Sequence, residues 1–164
     1  MSDLGSWEPL TPALVCGLFA GSGVRWWIAG GWSLDLLVGR QTRRHADIDV
    51  TVLRADASAV RAHFAAWDVC VADPPGTGTL RPWRVGEELA PDASLRGRAS
   101  SPDMPVLSPE IQLLYKSKGR REKDEVDFSR VLPLLTEEEK EWLGQALETV
   151  APGHPWSDRL SRRH

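Results

Sequence analysis

The segment from residue 26 to residue 50, WWIAGGWSLDLLVGRQTRRHADIDV, constrains the fold more than any other part of the sequence. Bulky residues over 25–29 are typical of a short strand. The pair Gly30-Gly31 predicts a turn from that strand into a helix over 33–38. A strand, a glycine turn and a short helix in close succession favour a sheet with helices packed against it.

Helix starts and ends are marked elsewhere by capping residues. Thr11 and Pro12 begin a helix that Gly21 ends, Gly39 ends the helix after the glycine pair, and Asp56 caps another. Three later helices are predicted over 110–119, 122–132 and 137–148. The last begins with the capping-box pattern Thr136 to Glu139.

The remaining segments predict strands and one long loop. Alternating polar and apolar residues over 47–53 predict a strand, and 69–72 predicts another. Residues 91–107 are rich in Pro, Ser and Arg, which favours a loop. We therefore predict an α/β (α+β) fold with a small mixed sheet, flanking helices and a C-terminal helical segment. Residues 1–107 form the core, with the sheet shortened after residue 90, and the helices of 108–164 pack on it in one compact unit.

The composition excludes several classes of protein. With 164 residues, a net charge of −3 and 26% charged residues, the chain is a compact globular protein and not a dedicated nucleic-acid binder. It shows neither a signal peptide nor an apolar run long enough to cross a membrane. Cys16 and Cys70 lie in apolar stretches, which indicates reduced core residues of a cytoplasmic protein.

Asp47 and Asp49 lie two positions apart on a predicted strand, so both side chains project from one face. Two close carboxylates repel each other unless a cation lies between them, and Mg²⁺ prefers such oxygen ligands. The alternative is a solvated strand edge that carries two acids. Gly30 and Gly31 would let a phosphate approach backbone amides, next to the positive end of the helix at Ser33; alternatively, they form a simple turn.

The segment AGGWSLDLLVGRQTRRHADIDV closely resembles the signature of the nucleotidyltransferase fold, as seen in aminoglycoside adenylyltransferases and lincosamide nucleotidyltransferases. The positions that match are Gly30, Gly31, Trp32, Asp35, Gly39, Arg43, His45, Asp47 and Asp49. The later segment SPEIQLLYKSKGRREKDEVDF is similar to a second segment of that family. The resemblance covers about residues 10–72 and 108–155.

The resemblance implies transfer of an NMP, AMP from ATP in the first instance, to a hydroxyl of a small molecule such as an aminoglycoside-like or lincosamide-like antibiotic. It implies a magnesium site at Asp47 and Asp49 in a DNA polymerase beta-type arrangement. The nucleotide phosphates would be bound by a larger set, Gly30, Gly31, Ser33, Arg43, His45, Lys116 and Lys123. For the two lysines, a solvated helix face is the alternative.

The resemblance also implies a third carboxylate that binds metal and takes the proton of the attacking hydroxyl. Asp92 is the best match by position, with Glu87 and Glu88 in reserve, and a loop acid is the alternative for Asp92. Relatives carry further strands between that carboxylate and the Pro-Glu helix, where this chain is predicted to have only a loop over 96–107. An acceptor site completed by a second copy in a homodimer follows as one alternative.

Two other functions stay open. A nucleotide-binding or regulatory module would have kept the nucleotide half and lost transfer. A repurposed enzyme would use the fold for other chemistry without binding a nucleotide. Neither a nucleic-acid partner nor a membrane partner is expected.

Overall fold

The computed structural model describes residues 8–72, 79–83, 97–101, 104–119 and 121–161. The elements follow in the order α1 (Pro12–Phe19), β1 (Trp26–Ala29), α2 (Gly30–Val38), β2 (Asp49–Val52), α3 (Ala57–His63), β3 (Cys70–Ala72), β4 (Leu80–Pro82), β5 (Gly97–Ser101), β6 (Met104–Leu107), α4 (Pro109–Ser117), α5 (Glu122–Val131), α6 (Glu137–Val150) and α7 (Pro155–Ser161). This arrangement confirms the predicted mixed α/β fold.

The main sheet has the strand order β2-β1-β6-β5. Its central strand β1 runs antiparallel to β2 and parallel to β6, with Ile28 beside Val106. β5 and β6 form an antiparallel pair with a register shift between Ala99 and Ser101. Strands β3 and β4 pair antiparallel in a separate two-stranded sheet.

The prediction of a loop over 91–107 is wrong for 97–101 and 104–107, which are β5 and β6. β6 contains Pro105, although proline cannot donate a hydrogen bond to a sheet ladder. The pairing of β6 with β1 buries Val106 and Leu107 in the core, and this burial outweighs the unfavourable local composition. Two strands of the main sheet therefore lie where the loop was predicted, and the shortening of the sheet relative to the family stays a prediction.

Several helix boundaries follow the predicted caps. The Thr11 hydroxyl accepts a hydrogen bond from the Leu14 amide, and Thr136 and Glu139 form a reciprocal capping box. Gly39 ends α2 in the left-handed conformation, with φ of 80°. The prediction that Asp56 caps a helix is only half right, because its side chain makes no capping bond and instead faces Arg25, 3.6 Å away.

The largest core cluster joins the C-terminal helices to α2. It consists of Leu34, Leu113, Phe128, Val131, Leu135, Leu143, Leu147, Trp156 and Leu160. Leu34 comes from α2, so this cluster fixes the helix that follows β1 against α4, α5 and α6. The division of the chain at residues 107 and 108 stays a prediction.

Neither cysteine takes part in a disulfide, but the prediction that both are core residues is wrong. Cys70 is exposed and Cys16 is partly exposed. None of the helices in the described part of the chain has the length and apolar character needed to cross a membrane.

Candidate active site

A cleft of about 500 Å³ opens between the start of α2, the segment that leads into β2, and helices α4 and α5. Eight of the residues predicted from the sequence line it: Gly30, Gly31, Arg43, His45, Asp47, Asp49, Lys116 and Lys123. The fold thus gathers most of the predicted site from three separate parts of the chain. Asp92, Glu87 and Glu88 lie outside the described residues.

Asp49 is the first residue of β2 and pairs with Ala29 at the end of β1. Asp47 precedes the strand, contrary to the prediction that both acids lie on it, yet both line the cleft. Burial by the cleft walls, followed by the charge of Asp47, raises the pKa of Asp49 above its ordinary value. Lys116, Lys123 and Arg121 act in the opposite direction.

The donor set of this acidic corner fits a hard cation. Asp47 and Asp49 both line the cleft, and the charge of Asp47 opposes the ionisation of Asp49. Carboxylate oxygens are the ligands that a hard cation such as Mg²⁺ prefers. Within the described ranges, no group of three or more His, Cys, Asp or Glu side chains comes together as a metal site. Asp47 and Asp49 would supply two ligands of a metal site, and Asp92, the predicted third ligand, lies outside the described residues.

Gly30 begins α2 instead of preceding it, with φ of 66°. Its amide donates a hydrogen bond to Gln112 Oε1 at 2.7 Å, so this amide is engaged within the protein. A Cβ at Gly30 would overlap Asp49 Oδ2 and lie 2.9 Å from Asp49 Cγ. The glycine therefore gives the Asp49 carboxylate its room, a role that the sequence alone did not indicate.

Gly31 does the same for the two basic side chains that follow α2. A Cβ there would overlap Arg43 Nη2 and lie 2.5 Å from His45 Cε1. The absence of a side chain at Gly31 lets Arg43 and His45 cover the first turn of the helix. The glycine pair is thus a packing surface for the site residues.

His45 is held by a buried network. Its Nε2 lies 2.6 Å from Asp35 Oδ2, and its ring packs on Trp32 with centroids 4.6 Å apart. Thr42 donates to Asp35 from its amide at 3.0 Å and from its hydroxyl at 2.5 Å. Burial opposes ionisation of Asp35, but the hydrogen bonds from His45 and Thr42 outweigh it and lower the pKa of Asp35. The network fixes the segment that carries Arg43 and Asp47.

Ser33 does not line the cleft. It is buried, and its hydroxyl donates to the Gly30 carbonyl at 2.8 Å. It therefore stabilises the first turn of α2 from the buried side of the helix, and not from the side that faces the cleft.

The basic wall of the cleft is tied to two buried acids of α5. Lys116 Nζ lies 3.1 Å from Asp124 Oδ1 and 2.9 Å from Asp127 Oδ2. Arg121 Nε donates to Asp124 Oδ2 at 2.8 Å, and Arg43 Nη2 lies 3.5 Å from Asp127 Oδ2. Lys123, by contrast, is exposed on the same helix.

The cleft also contains residues that the sequence interpretation did not assign to the site, namely Arg44, Ala46, Gln112, Tyr115 and Arg121. Gln112 and Tyr115 precede Lys116 by four positions and one position in α4. The spacing of Gln112 and Lys116 places both on one helix face, and this pattern could have identified Gln112. Arg121 carried no comparable pattern, because it lies between two helices.

The pKa of Asp124 gives the stability of the protein a defined pH dependence. Burial opposes its ionisation, but Arg121 and Lys116 outweigh burial and lower the pKa of Asp124 below its ordinary 3.8. Ionised Asp124 therefore stabilises the fold fully above pH 3.8, and this contribution is lost as the pH falls from 3.8 through the lower folded-state pKa.

We expect urea unfolding across a pH series to show a shallower acid loss of stability in Asp124→Asn than in the wild type. Asp35 has a lowered pKa too, so part of the acid dependence remains in the variant. The control is Glu122→Gln, because Glu122 lies two positions before Asp124 in α5 and is exposed. Its stability should depend on pH as that of the wild type does. Equal acid slopes in wild type and Asp124→Asn would contradict the assignment.

Comparison with known proteins bears on the same residues. A family model described as aminoglycoside-2''-adenylyltransferase matches residues 13–74. A lincosamide resistance protein of Staphylococcus haemolyticus is 48% identical over 33 residues, which cover 20% of this chain and 20% of that relative. No solved structure matches the chain. Both matches confirm the predicted resemblance to the aminoglycoside and lincosamide nucleotidyltransferase-like family.

Proposed function

We propose that this protein is a magnesium-dependent nucleotidyltransferase that moves AMP from ATP to a hydroxyl of an aminoglycoside-like or lincosamide-like antibiotic. The observation that carries the proposal is that Asp47 and Asp49 line the same cleft as the basic side chains of Arg43, Lys116 and Lys123. A triphosphate needs cationic side chains, and its metal needs carboxylates. The family matches support the reaction class.

In the proposed reaction, the acceptor hydroxyl attacks the α-phosphorus of ATP. A new oxygen–phosphorus bond forms, the bond to the bridging oxygen of the β-phosphate breaks, and pyrophosphate leaves. The hydroxyl proton passes to a carboxylate, for which Asp92 stays the predicted candidate. Mg²⁺, when bound by Asp47 and Asp49, supplies charge neutralisation for the phosphate oxygens.

The side chains of this chain would divide the remaining tasks. Lys123 is exposed in the cleft and would contact the phosphates directly. Arg43 and Lys116 would present their charge from fixed positions, because both pair with Asp127. His45 would act on the nucleotide indirectly, since its ring is buried against Trp32 and Asp35.

The first test is a calorimetric titration with ATP, with and without Mg²⁺, on wild type and Asp49→Asn. We expect binding that requires Mg²⁺ and is about 10–100-fold weaker in the variant, the cost of removing one charged oxygen ligand. Asp68→Asn is the control, because Asp68 is exposed and does not line the cleft. Nucleotide transfer is then measured with labelled ATP and a panel of aminoglycosides and lincosamides.

The outcomes separate the functions that stay open. Labelled nucleotide on an acceptor supports the transferase. Binding of ATP with Mg²⁺ but no transfer to any acceptor would favour a nucleotide-binding module. Absence of ATP binding in the wild type would contradict the proposal and favour chemistry that uses no nucleotide.

A further inference from the structure

One buried carboxylate connects three segments that build the cleft. Asp127 of α5 has only 4% of its side chain exposed. Its Oδ2 lies 2.9 Å from Lys116 Nζ of α4 and 3.5 Å from Arg43 Nη2, in the segment between α2 and β2. Both cations line the cleft, while Asp127 itself lies behind them.

The Arg43 side chain can reach Asp127 because Gly31, at the start of α2, has no side chain. The guanidinium passes so close to Gly31 that a Cβ there would overlap Nη2. Arg43 Nη1 also contacts the carbonyl of Arg44 at 3.5 Å. The Arg43 side chain is 28% exposed, so it reaches both the buried acid and the open cleft.

Lys116 is held on two sides. Asp124 binds its Nζ at 3.1 Å in addition to Asp127, and the lysine side chain is 7% exposed. Asp124 also pairs with Arg121, whereas the only acid paired with Arg43 among the described residues is Asp127. Asp127 is thus the residue through which Arg43 and Lys116 share one fixed arrangement.

Such a network is costly to bury. Removing charges from water is unfavourable, and pairing compensates for this cost only when its geometry is good. Apolar side chains at the same three positions would pack without that cost. The arrangement is therefore better explained by where it places its cations than by stability.

We propose that Asp127 is a positioning residue, which orients Arg43 and Lys116 so that their charges face the triphosphate of a bound nucleotide. The inference rests on the proposed function, because it assumes a triphosphate in the cleft. In this proposal Asp127 does not contact the substrate. Removal of its charge is predicted to weaken the binding of ATP, whereas electrostatics alone would strengthen it.

The direction in which the affinity for ATP changes in Asp127→Asn tests the proposal. Asp127→Asn removes one negative charge from behind the basic wall, so electrostatics alone would tighten the binding of ATP with Mg²⁺. If Asp127 positions the two cations, the binding of ATP with Mg²⁺ instead weakens by about tenfold. This is the size of effect seen when a residue that orients metal ligands, without binding the metal itself, is removed. Glu122→Gln makes the same charge change on the same helix at an exposed position and should leave the affinity within twofold of the wild type.

A double-mutant cycle shows whether Asp127 acts through Arg43. Arg43→Lys keeps the positive charge but loses the planar fork that reaches Asp127, and we expect binding about tenfold weaker. In the Arg43→Lys background, Asp127→Asn should add much less than it does alone, since coupled residues are not additive. Full additivity would overturn the claim that Asp127 acts through Arg43.

Folding is checked by thermal unfolding of every variant. If Asp127→Asn melts below the assay temperature, Arg43→Lys carries the test, with Arg40→Lys as its control because Arg40 is exposed outside the cleft. Equal affinities in Arg43→Lys and Arg40→Lys would then overturn the inference. Unchanged or tighter binding in folded Asp127→Asn overturns it while leaving the proposed function intact. If the wild type fails to bind ATP with Mg²⁺, the proposed function and this inference fall together.

Discussion

Gly30→Ala is expected to lower nucleotide transfer by about 100-fold, the loss that misplacement of a reacting group by about 1 Å can cause. The new Cβ would overlap Asp49 Oδ2 and lie 2.9 Å from Asp49 Cγ, so the carboxylate has to move. The backbone adds strain, because φ of 66° is unfavourable for any residue with a side chain. That strain costs about 1–2 kcal/mol.

Gly39→Ala separates the two effects. Gly39 has a similar φ of 80°, yet nothing lies within 4 Å of a Cβ at that position. We therefore expect the two variants to lose similar stability in urea unfolding. Only Gly30→Ala should lose transfer and affinity for ATP with Mg²⁺. Equal activities in the two variants would mean that Asp49 relaxes without consequence, or that its position does not matter for the reaction.

Trp156→Ala is expected to lower the free energy of unfolding by about 3–5 kcal/mol, the range for removal of a buried aromatic side chain. Trp156 is 1% exposed, and its ring is stacked on Phe128 with centroids 4.1 Å apart and planes 2° apart. Its indole N–H donates to Glu125 Oε2 at 2.9 Å. The variant would lose the contact of α7 with α5 and leave a cavity in the largest core cluster.

Trp67→Ala is the matched control, because the same side chain is 49% exposed at position 67. Chemical denaturation of both variants should show a much smaller loss for Trp67→Ala. A loss below about 1 kcal/mol for Trp156→Ala, typical of a surface position, would mean that α7 contributes little to the fold. Because α5 carries Asp124 and Asp127 on the side of the cleft, loosening of α5 in Trp156→Ala should also weaken ATP binding.

Most of the residues that line the cleft could be named from the sequence because the main motif is local. Gly30, Gly31, Asp47 and Asp49 lie close together in the chain, and a short strand and helix suffice to place them. The sequence did not indicate that the two glycines make room for side chains of the cleft. This role depends on which side chains pack against Gly30 and Gly31, namely Asp49 in the first case and Arg43 and His45 in the second. The same holds for His45, whose pairing with Asp35 assigns it to the framework of the site.

Contacts between elements that are far apart in the sequence could not be predicted, because no local sequence pattern indicates them. β6 was missed because Pro105 weakens any strand prediction, while its stabilising partner Ile28 lies in β1. α7 was not predicted, since seven residues carry too little periodicity; Trp156 stabilises it through Phe128 of α5. The ion pair of Arg43 and Asp127 likewise joins two motifs that the sequence presents as independent.

The parallel pairing of β1 with β6 has a consequence for the order in which the protein folds. β1 cannot complete the centre of the sheet until residues 104–107 have been synthesised, because its neighbour on that side comes from β6. Pairing over such a separation closes a long loop and is slow compared with local hairpins and helices. A fragment limited to the family-matched residues 13–74 would leave that edge of β1 without a partner strand, and we therefore expect this fragment not to fold on its own.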